Sequence, residues 1–335
     1  MQKALRALGW MAAVALGAVL VALVYLLVAF PKSEPATDVV VQGTPERIER
    51  GRYLFHHVAA CAECHAVHDR SRLGDPVVPG GLGRENYEEW VARSGFFPPN
   101  LTPAALGSWS DGEILRAIAS GIREDGQALF PAMPYDLYGK LAQPDLEALV
   151  AYIRTLDPIP VEHPRERLAL PLNLIARLAP RPARPPAEAP RTGLSRGEYL
   201  VEVAGCRFCH TPFEGTPPRA VKALTFAGGH EFPVAAGVVR TANITPDTET
   251  GIGEWTRDRF LARFQAVREG AATGGPKPAG TPPTVMPWAN YAGMREEDLA
   301  AIYEYLRTVE PVRHRVTTFE PDPGQAGTPA RRGLD

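Results

Sequence analysis

The sequence predicts an all-α protein: an N-terminal transmembrane helix followed by two tandem, small helical domains. Three observations carry this expectation. Leu8 to Phe30 is a run of 23 residues without a charge. Downstream, the pattern Cys-x-x-Cys-His occurs twice, as Cys61–His65 and Cys206–His210, and uses all four cysteines of the chain. Around the two copies, an ordered series of short sequence matches recurs at a nearly constant offset.

The apolar run comes first. As a helix, 23 residues span about 34 Å, enough for a hydrocarbon core of about 30 Å. Lys3 and Arg6 precede it, whereas Lys32 is followed by the acidic Glu34 and Asp38. The positive-inside rule then puts residues 1–7 in the cytoplasm, the anchor at 8–30 and the rest of the chain outside. A cleaved signal peptide would need a shorter apolar core and a small-residue cleavage site, which Val28-Ala29-Phe30-Pro31 does not supply. At 335 residues the chain has room for two domains, and its formal net charge of -2 gives no reason to expect a nucleic-acid partner. Its 31 glycines and 34 prolines suit small helical domains with long irregular loops.

Residues 31–43 read as a tether. Thr44 is placed to cap a helix with Pro45 at its first position, and that helix, Glu46–Ala60, delivers Cys61. A loop rich in Gly and Pro spans Asp69–Pro99. Ser110 with Glu113 predicts a capping box for a helix to Ser120. A helix over Pro144–Leu156 has Leu146, Leu149, Val150 and Ile153 on one face and closes the first domain, 44–158. The linker, 159–192, is rich in Pro and Arg. Its Ala179–Pro190 stretch should be extended, and Leu168–Leu178 is apolar enough to be a strap across the two domains.

The second domain, 193–315, should open on a capping box at Ser195–Glu198 and then replays the first. Cys206 lies 145 positions after Cys61, Asn243 lies 143 after Asn100, and Trp255 lies 146 after Trp109. Met286 and Asp298 each lie 153 after Met133 and Asp145. Small drift in an ordered series indicates a duplicated domain with loop insertions. The tail, 316–335, is expected to be disordered.

Cys-x-x-Cys-His is the pattern of covalent c-type haem attachment. Two thiols three positions apart lie on one side of a helical turn, where they can add to the two vinyl groups of one porphyrin. The histidine that follows brings an imidazole nitrogen to the iron. A four-thiolate zinc site would separate its cysteine pairs by roughly 15–20 residues, whereas 141 residues separate Cys64 from Cys206. Neither a thioredoxin-like pair nor structural disulfides explain a histidine after both pairs. The expectation is two covalent haem c groups, held by Cys61 and Cys64 and by Cys206 and Cys209, with His65 and His210 on the irons.

The remaining axial position decides between electron transfer and chemistry on a small ligand. Met1 and Met11 belong to the anchor region, and Met294 has no counterpart in the first domain. Met133 and Met286 sit at matching places, each followed by proline, and are the expected sixth ligands. His56, His57, His68, His163 and His314 are poorly placed for ligation, and His230 lacks a partner in the first domain. Trp109 and Trp255 can serve a haem propionate or the core. The N-x-T motifs at Asn100 and Asn243 are expected to shape loops near the methionine side of each haem. Tyr135 and Trp288, each two residues after a methionine, can pack on the ligand loops.

With these residues in hand, the chain resembles the c-type cytochrome subunits of membrane-bound bacterial dehydrogenases for alcohols, gluconate, sorbitol and aldehydes. The resemblance lies in Asn100–Pro103, Gly107–Ser110 and Pro131–Tyr135, and again in Asn243–Pro246, Gly253–Thr256 and Val285–Trp288. It covers about residues 44–158 and 193–312. It implies His/Met haems relaying electrons from a dehydrogenase subunit toward ubiquinone or an oxidase. The expected fold is therefore two tandem cytochrome c-like domains, each wrapped around one covalent haem. The expected protein is a non-enzymatic, single-pass carrier of the bacterial inner membrane, its soluble part in the periplasm. Its redox partners would be a periplasmic dehydrogenase, a terminal oxidase or a soluble cytochrome. Alternatives are a dihaem subunit of a haem-copper oxidase, or a dihaem enzyme of the peroxidase or thiosulfate dehydrogenase type.

Overall fold

The computed structural model describes residues 2–66, 68–69, 71–73, 98–160, 171–215, 218–278 and 280–322. The chain order is α1 (Gln2–Ala29), α2 (Pro45–Tyr53), α3 (Cys61–His65), α4 (Pro103–Leu106), α5 (Asp111–Ser120), α6 (Tyr135–Tyr138), α7 (Gln143–Ile153) and α8 (Leu172–Ala176). Then come α9 (Gly193–Val203), α10 (Cys206–Cys209), the hairpin β1 (Phe213–Glu214) and β2 (Arg219–Ala220), β3 (Glu231–Val234) and β4 (Gly237–Arg240). The last elements are α11 (Arg257–Thr273), α12 (Trp288–Ala292), α13 (Glu296–Leu306) and β5 (Phe319–Pro321). His163, most of the long loop of the first domain and the start of the expected strap lie outside the described residues.

The chain forms two compact units. One gathers Met1–Val40, Ser108–Lys140 and Arg167–Pro185, and the other Val41–Gly107, Leu141–Glu166 and Pro186–Asp335. This division by compactness cuts across the tandem repeat read from the sequence.

In the first unit, α1 is long and apolar enough to cross a membrane, and none of its described residues is buried. This fits a membrane anchor. The tether runs over α5: a Cβ on Gly112 would fall 1.9 Å from the Thr37 carbonyl oxygen, so only glycine fits there. Ser110 and Glu113 form the expected capping box, and Gly121 ends α5 in the left-handed conformation at φ 70°. The linker is tied down here: the Ala183 N–H donates to Ser120 Oγ (3.1 Å), and the Arg177 guanidinium donates to the carbonyls of Leu27 (2.9 Å) and Phe30.

In the second unit, two helix pairs repeat one another, α2 on α7 and α9 on α13. Each crosses at a glycine. A Cβ on Gly51 would lie 1.8 Å from the Ala148 carbonyl oxygen, and one on Gly197 would lie 2.0 Å from that of Ala301. Leu54, Leu146, Leu149 and Val150 fill the first pair, and Leu200, Val201, Leu299 and Leu306 the second, all essentially buried. Thr44 caps α2 with Pro45 at its first position, as expected, but the expected capping box at Ser195 does not form. α9 instead starts at Gly193 with Thr192 as its cap, because Ser195 Oγ donates back to the Thr192 carbonyl (3.3 Å). The single helix expected over Glu46–Ala60 is α2 followed by a π-turn at Leu54–Val58.

The pairs are joined by a reciprocal clamp. Arg50 makes a bidentate contact to Asp145 (2.8 and 2.7 Å), and Arg196 makes the same contact to Asp298 (2.8 and 2.8 Å). The free edge of each carboxylate accepts from the other repeat: Tyr199 Oη donates to Asp145 (2.7 Å), and Tyr53 Oη to Asp298 (2.6 Å). Burial works against the Asp298 carboxylate, but its bonds from Arg196 and Tyr53 hold its pKa below the ordinary value.

The all-α expectation needs correction in two places. β1 and β2 form a hairpin, and β3, β4 and β5 form a three-stranded antiparallel sheet with Phe232 opposite Val239 and Val239 opposite Phe319. Phe232 and Val234 alternate along β3, and the β-branched Val238 and Val239 follow in β4 across the turn at Ala235-Ala236. β5 also orders part of the tail expected to be disordered, because Phe319–Pro321 completes the edge of β4.

Candidate haem attachment site

Each attachment motif begins at a sharp reversal. Ala60 (φ 48°) and Gly205 (φ 71°) take the left-handed conformation immediately before Cys61 and Cys206. The chain then winds into α3 and α10, which place both thiols of each motif on one short turn. No disulfide involves any of the four cysteines. Loss of water pushes the thiols of Cys61 and Cys206 up to about 12, and that of Cys209 to about 11. These are apolar surroundings, suited to the edge of a macrocycle and not to a reactive thiolate.

The two histidines are held alike. His65 Nδ1 lies 2.9 Å from the Pro99 carbonyl oxygen, and His210 Nδ1 lies 2.7 Å from that of Ala242. A carbonyl only accepts, so Nδ1 carries the proton in each and Nε2 keeps its lone pair for a metal. Burial lowers the pKa of His210, which further favours the neutral ring.

The N-x-T motifs explain where those carbonyls come from, and they correct the expectation that these loops lie on the methionine side. Pro99 and Ala242 immediately precede Asn100 and Asn243. Asn100 Oδ1 accepts from Thr102 N (2.8 Å) and Oγ1 (2.7 Å), while its amide donates to the Ile159 carbonyl (2.8 Å). Asn243 repeats this with Thr245 N (2.9 Å), Thr245 Oγ1 (2.8 Å) and the Val312 carbonyl (2.8 Å). Each asparagine thus fixes a tight turn whose preceding carbonyl orients a histidine.

Met286 is half-buried. Its N–H lies 3.2 Å from Thr284 Oγ1, and its carbonyl accepts from Trp288 N (2.8 Å). Met133 lies in the first unit with the same turn, its carbonyl accepting from Tyr135 N (2.8 Å). Met294 is buried packing, as expected. Trp255 lies under the Arg259 guanidinium (4.7 Å), and its carbonyl accepts from Tyr303 Oη. Trp288 packs on Phe264, with ring centroids 5.4 Å apart.

The other described histidines have protein partners: His56 with Tyr152 Oη (2.8 Å), His57 with the Asn290 carbonyl (3.0 Å), His68 with that of Ala62 (2.9 Å) and His314 with that of Ala227 (2.9 Å). His230 sits in an aromatic cluster with Phe208, Phe213 and Phe232.

Sequence reasoning missed Asn290 and Tyr291. The Asn290 amide donates to the His56 carbonyl (3.0 Å), and Tyr291 Oη donates to that of Ala204 (2.5 Å). Adjacent residues of α12 therefore bind the approaches to both attachment turns. Asn290 falls four positions after Met286, the only local signal that could have pointed to it.

Paired thiols on a turn, an imidazole with its Nδ1 proton tied back and apolar surroundings all fit a covalently bound haem. Fold and site together define a c-type cytochrome, with a helical fold and haem c. Residues 48–157 match the Cytochrome c family. The chain is 30% identical over 293 residues to the fructose dehydrogenase cytochrome subunit of Gluconobacter japonicus, covering 83% of this chain and 56% of the relative. It is 28% identical over 299 residues to the cytochrome c subunit of the quinone alcohol dehydrogenase of Gluconacetobacter polyoxogenes (83% and 59%). It is 27% identical over 297 residues to the gluconate 2-dehydrogenase cytochrome c subunit of Pantoea cypripedii (84% and 64%). The chain thus spans little more than half the length of these relatives.

Proposed function

We propose that the chain is a membrane-anchored, dihaem electron carrier that serves a dehydrogenase. Cys61 and Cys64 bond the first haem and Cys206 and Cys209 the second. His65 and His210 are the imidazole ligands, and Met133 and Met286, at matching positions of the repeat, supply the thioethers. The observation that carries this reading is the repeated imidazole geometry: two rings of the same tautomer, each oriented by the carbonyl before an N-x-T turn. Bound haem c supplies one-electron exchange at iron. The chain's own residues set the imidazole rings and hold the Nδ1 protons, and with Met133 and Met286 they would supply two ligands to each iron, a set that would leave no site for substrate. A methionine together with a histidine ligand would raise the potential, suited to accepting electrons from a dehydrogenase and passing them toward quinone or a terminal oxidase.

In this reading α1 anchors the chain in the bacterial inner membrane, and the basic residues before it support a periplasmic location for the haem domains, about 44–158 and 193–315. The relatives, each a cytochrome subunit of a dehydrogenase, support the choice of partner. A pyridine haemochrome assay on the denatured protein should give two haem c per chain. The native reduced protein should not bind carbon monoxide, whereas Met133→Ala and Met286→Ala should each admit it at one haem and lower that haem's potential. Ready binding of carbon monoxide by the native protein would refute the carrier reading.

A further inference from the structure

The linker is expected to be a strap across two domains, yet two of its apolar residues, Ile175 and Leu178, face outward. On α8 and its flank, Ile175 is 53% exposed and Leu178 is 44% exposed, while Ala176 between them is 2% exposed. Ile175 and Leu178 are three positions apart, so they share a face. That face is turned to the surroundings, and the small residue is turned to the protein.

The position of this turn is fixed by Arg177. Its guanidinium donates to the carbonyls of Leu27 (2.9 Å) and Phe30, the last turn of α1. Those are carbonyls that α1 cannot satisfy itself, and a cation at a helix C-terminus also suits the macrodipole. The same end of α1 carries an interfacial set of side chains. Tyr25 meets Phe30 edge to face at 6.2 Å, and the Lys32 ammonium lies 5.5 Å from the Phe30 ring centroid. Aromatic rings with a basic residue beyond them mark the depth at which a spanning helix leaves the hydrocarbon. Beyond α8, Arg181 and Arg184 are exposed in a proline-rich extended run. Three residues make a turn in such a run, which puts both guanidinium groups on one side.

We propose that α8 and the residues after it lie in the membrane interface, with Ile175 and Leu178 inserted at the acyl boundary and Arg181 and Arg184 at lipid phosphates. The occupant is the phospholipid surface because the apolar face is tethered to the point where the anchor emerges, and because the charged residues that directly follow it, Arg181 and Arg184, are both cations. This rests on α1 spanning the membrane. The linker then does more than connect: it sets the orientation of the first unit at the surface.

Nitroxide labels test this in the haem-loaded, full-length protein reconstituted in phospholipid vesicles. Single labels are placed through Ile175→Cys, Leu178→Cys, Val19→Cys within the anchor and Asp136→Cys at an exposed control position. Collision with lipid-soluble oxygen and with a water-soluble nickel chelate is measured by power saturation. The expected result is preferential oxygen access at 175 and 178, a shift toward the behaviour of 19 and away from that of 136. If 175 and 178 behave like 136 while 19 is lipid-exposed, the interfacial placement is overturned and the anchor stands. Nickel access at 19 overturns the anchor and the placement with it. Labels at 175 and 178 shielded from both reagents mean a protein partner covers this face, which also overturns the placement.

Discussion

Asn100 and Asn243 are the residues on which the setting of His65 and His210 depends. Each spends its oxygen on a threonine N–H and hydroxyl and its amide on a distant carbonyl, all within a buried turn. Asn100→Ala leaves a buried N–H and the Ile159 carbonyl unsatisfied and should cost about 2 kcal/mol in urea unfolding. It should also perturb the His65 Nδ1 proton resonance while that of His210 stays in place. The histidines before the first motif predict the acid response. Burial pushes His56 down to about 4, against an ordinary 6.5. The unfolded chain therefore takes up this proton first. Stability from neutral His56 is fully present above pH 6.5 and is lost as pH falls toward 4, amounting to roughly 2 kcal/mol after allowance for part-exposure. Unfolding free energies measured across that window should fall less steeply in His56→Phe.

At the scale of elements, the two crossings α2 on α7 and α9 on α13 depend on glycines that let backbones touch. Gly51→Ala and Gly197→Ala drive a Cβ into the carbonyls of Ala148 and Ala301 and should each cost about 3 kcal/mol. Gly43→Ala, whose new Cβ meets only Ile48 Cδ1 at 3.6 Å, should be nearly neutral in the same denaturant series. Other features were legible beforehand: the helix caps at Thr44 and Ser110 and the apolar spacing along α7 are set by neighbours a few residues away. The contact of His65 with Pro99 is closed across 34 residues, so its side of the haem could not be read locally and was placed wrongly. The strands failed for a similar reason, since β5 pairs with β4 across some 80 residues. Ser195 shows the opposite failure: a correct local signature lost to a competing bond to Thr192.

On the scale of the second unit as a whole, the clamp makes one body of two repeats. Arg50, Tyr53 and Asp145 recur as Arg196, Tyr199 and Asp298, a correspondence visible in the sequence whose exchange of partners was not. Arginine and aspartate pair within a repeat, and tyrosine crosses to the other. The same plan extends to Arg295, whose N–H donates to Tyr53 Oη (3.2 Å) and whose guanidinium lies 4.7 Å from that ring's centroid. Removing one crossing hydroxyl by Tyr53→Phe or Tyr199→Phe loses a hydrogen bond to a charged acceptor, about 2 kcal/mol, while the buried ion pair survives. Asp298→Asn should be worse, at roughly 3–5 kcal/mol, because it strands the Arg196 charge in the interior. If the clamp is what couples the repeats, the wild type should unfold in one calorimetric transition for this unit. The double variant Tyr53→Phe with Tyr199→Phe should separate it into two, as each helix pair keeps its own glycine crossing and apolar filling. A double variant that still melts in a single, merely lower transition would assign the coupling to other contacts, of which the bonds of Asn290 to His56 and His57 are the next to remove.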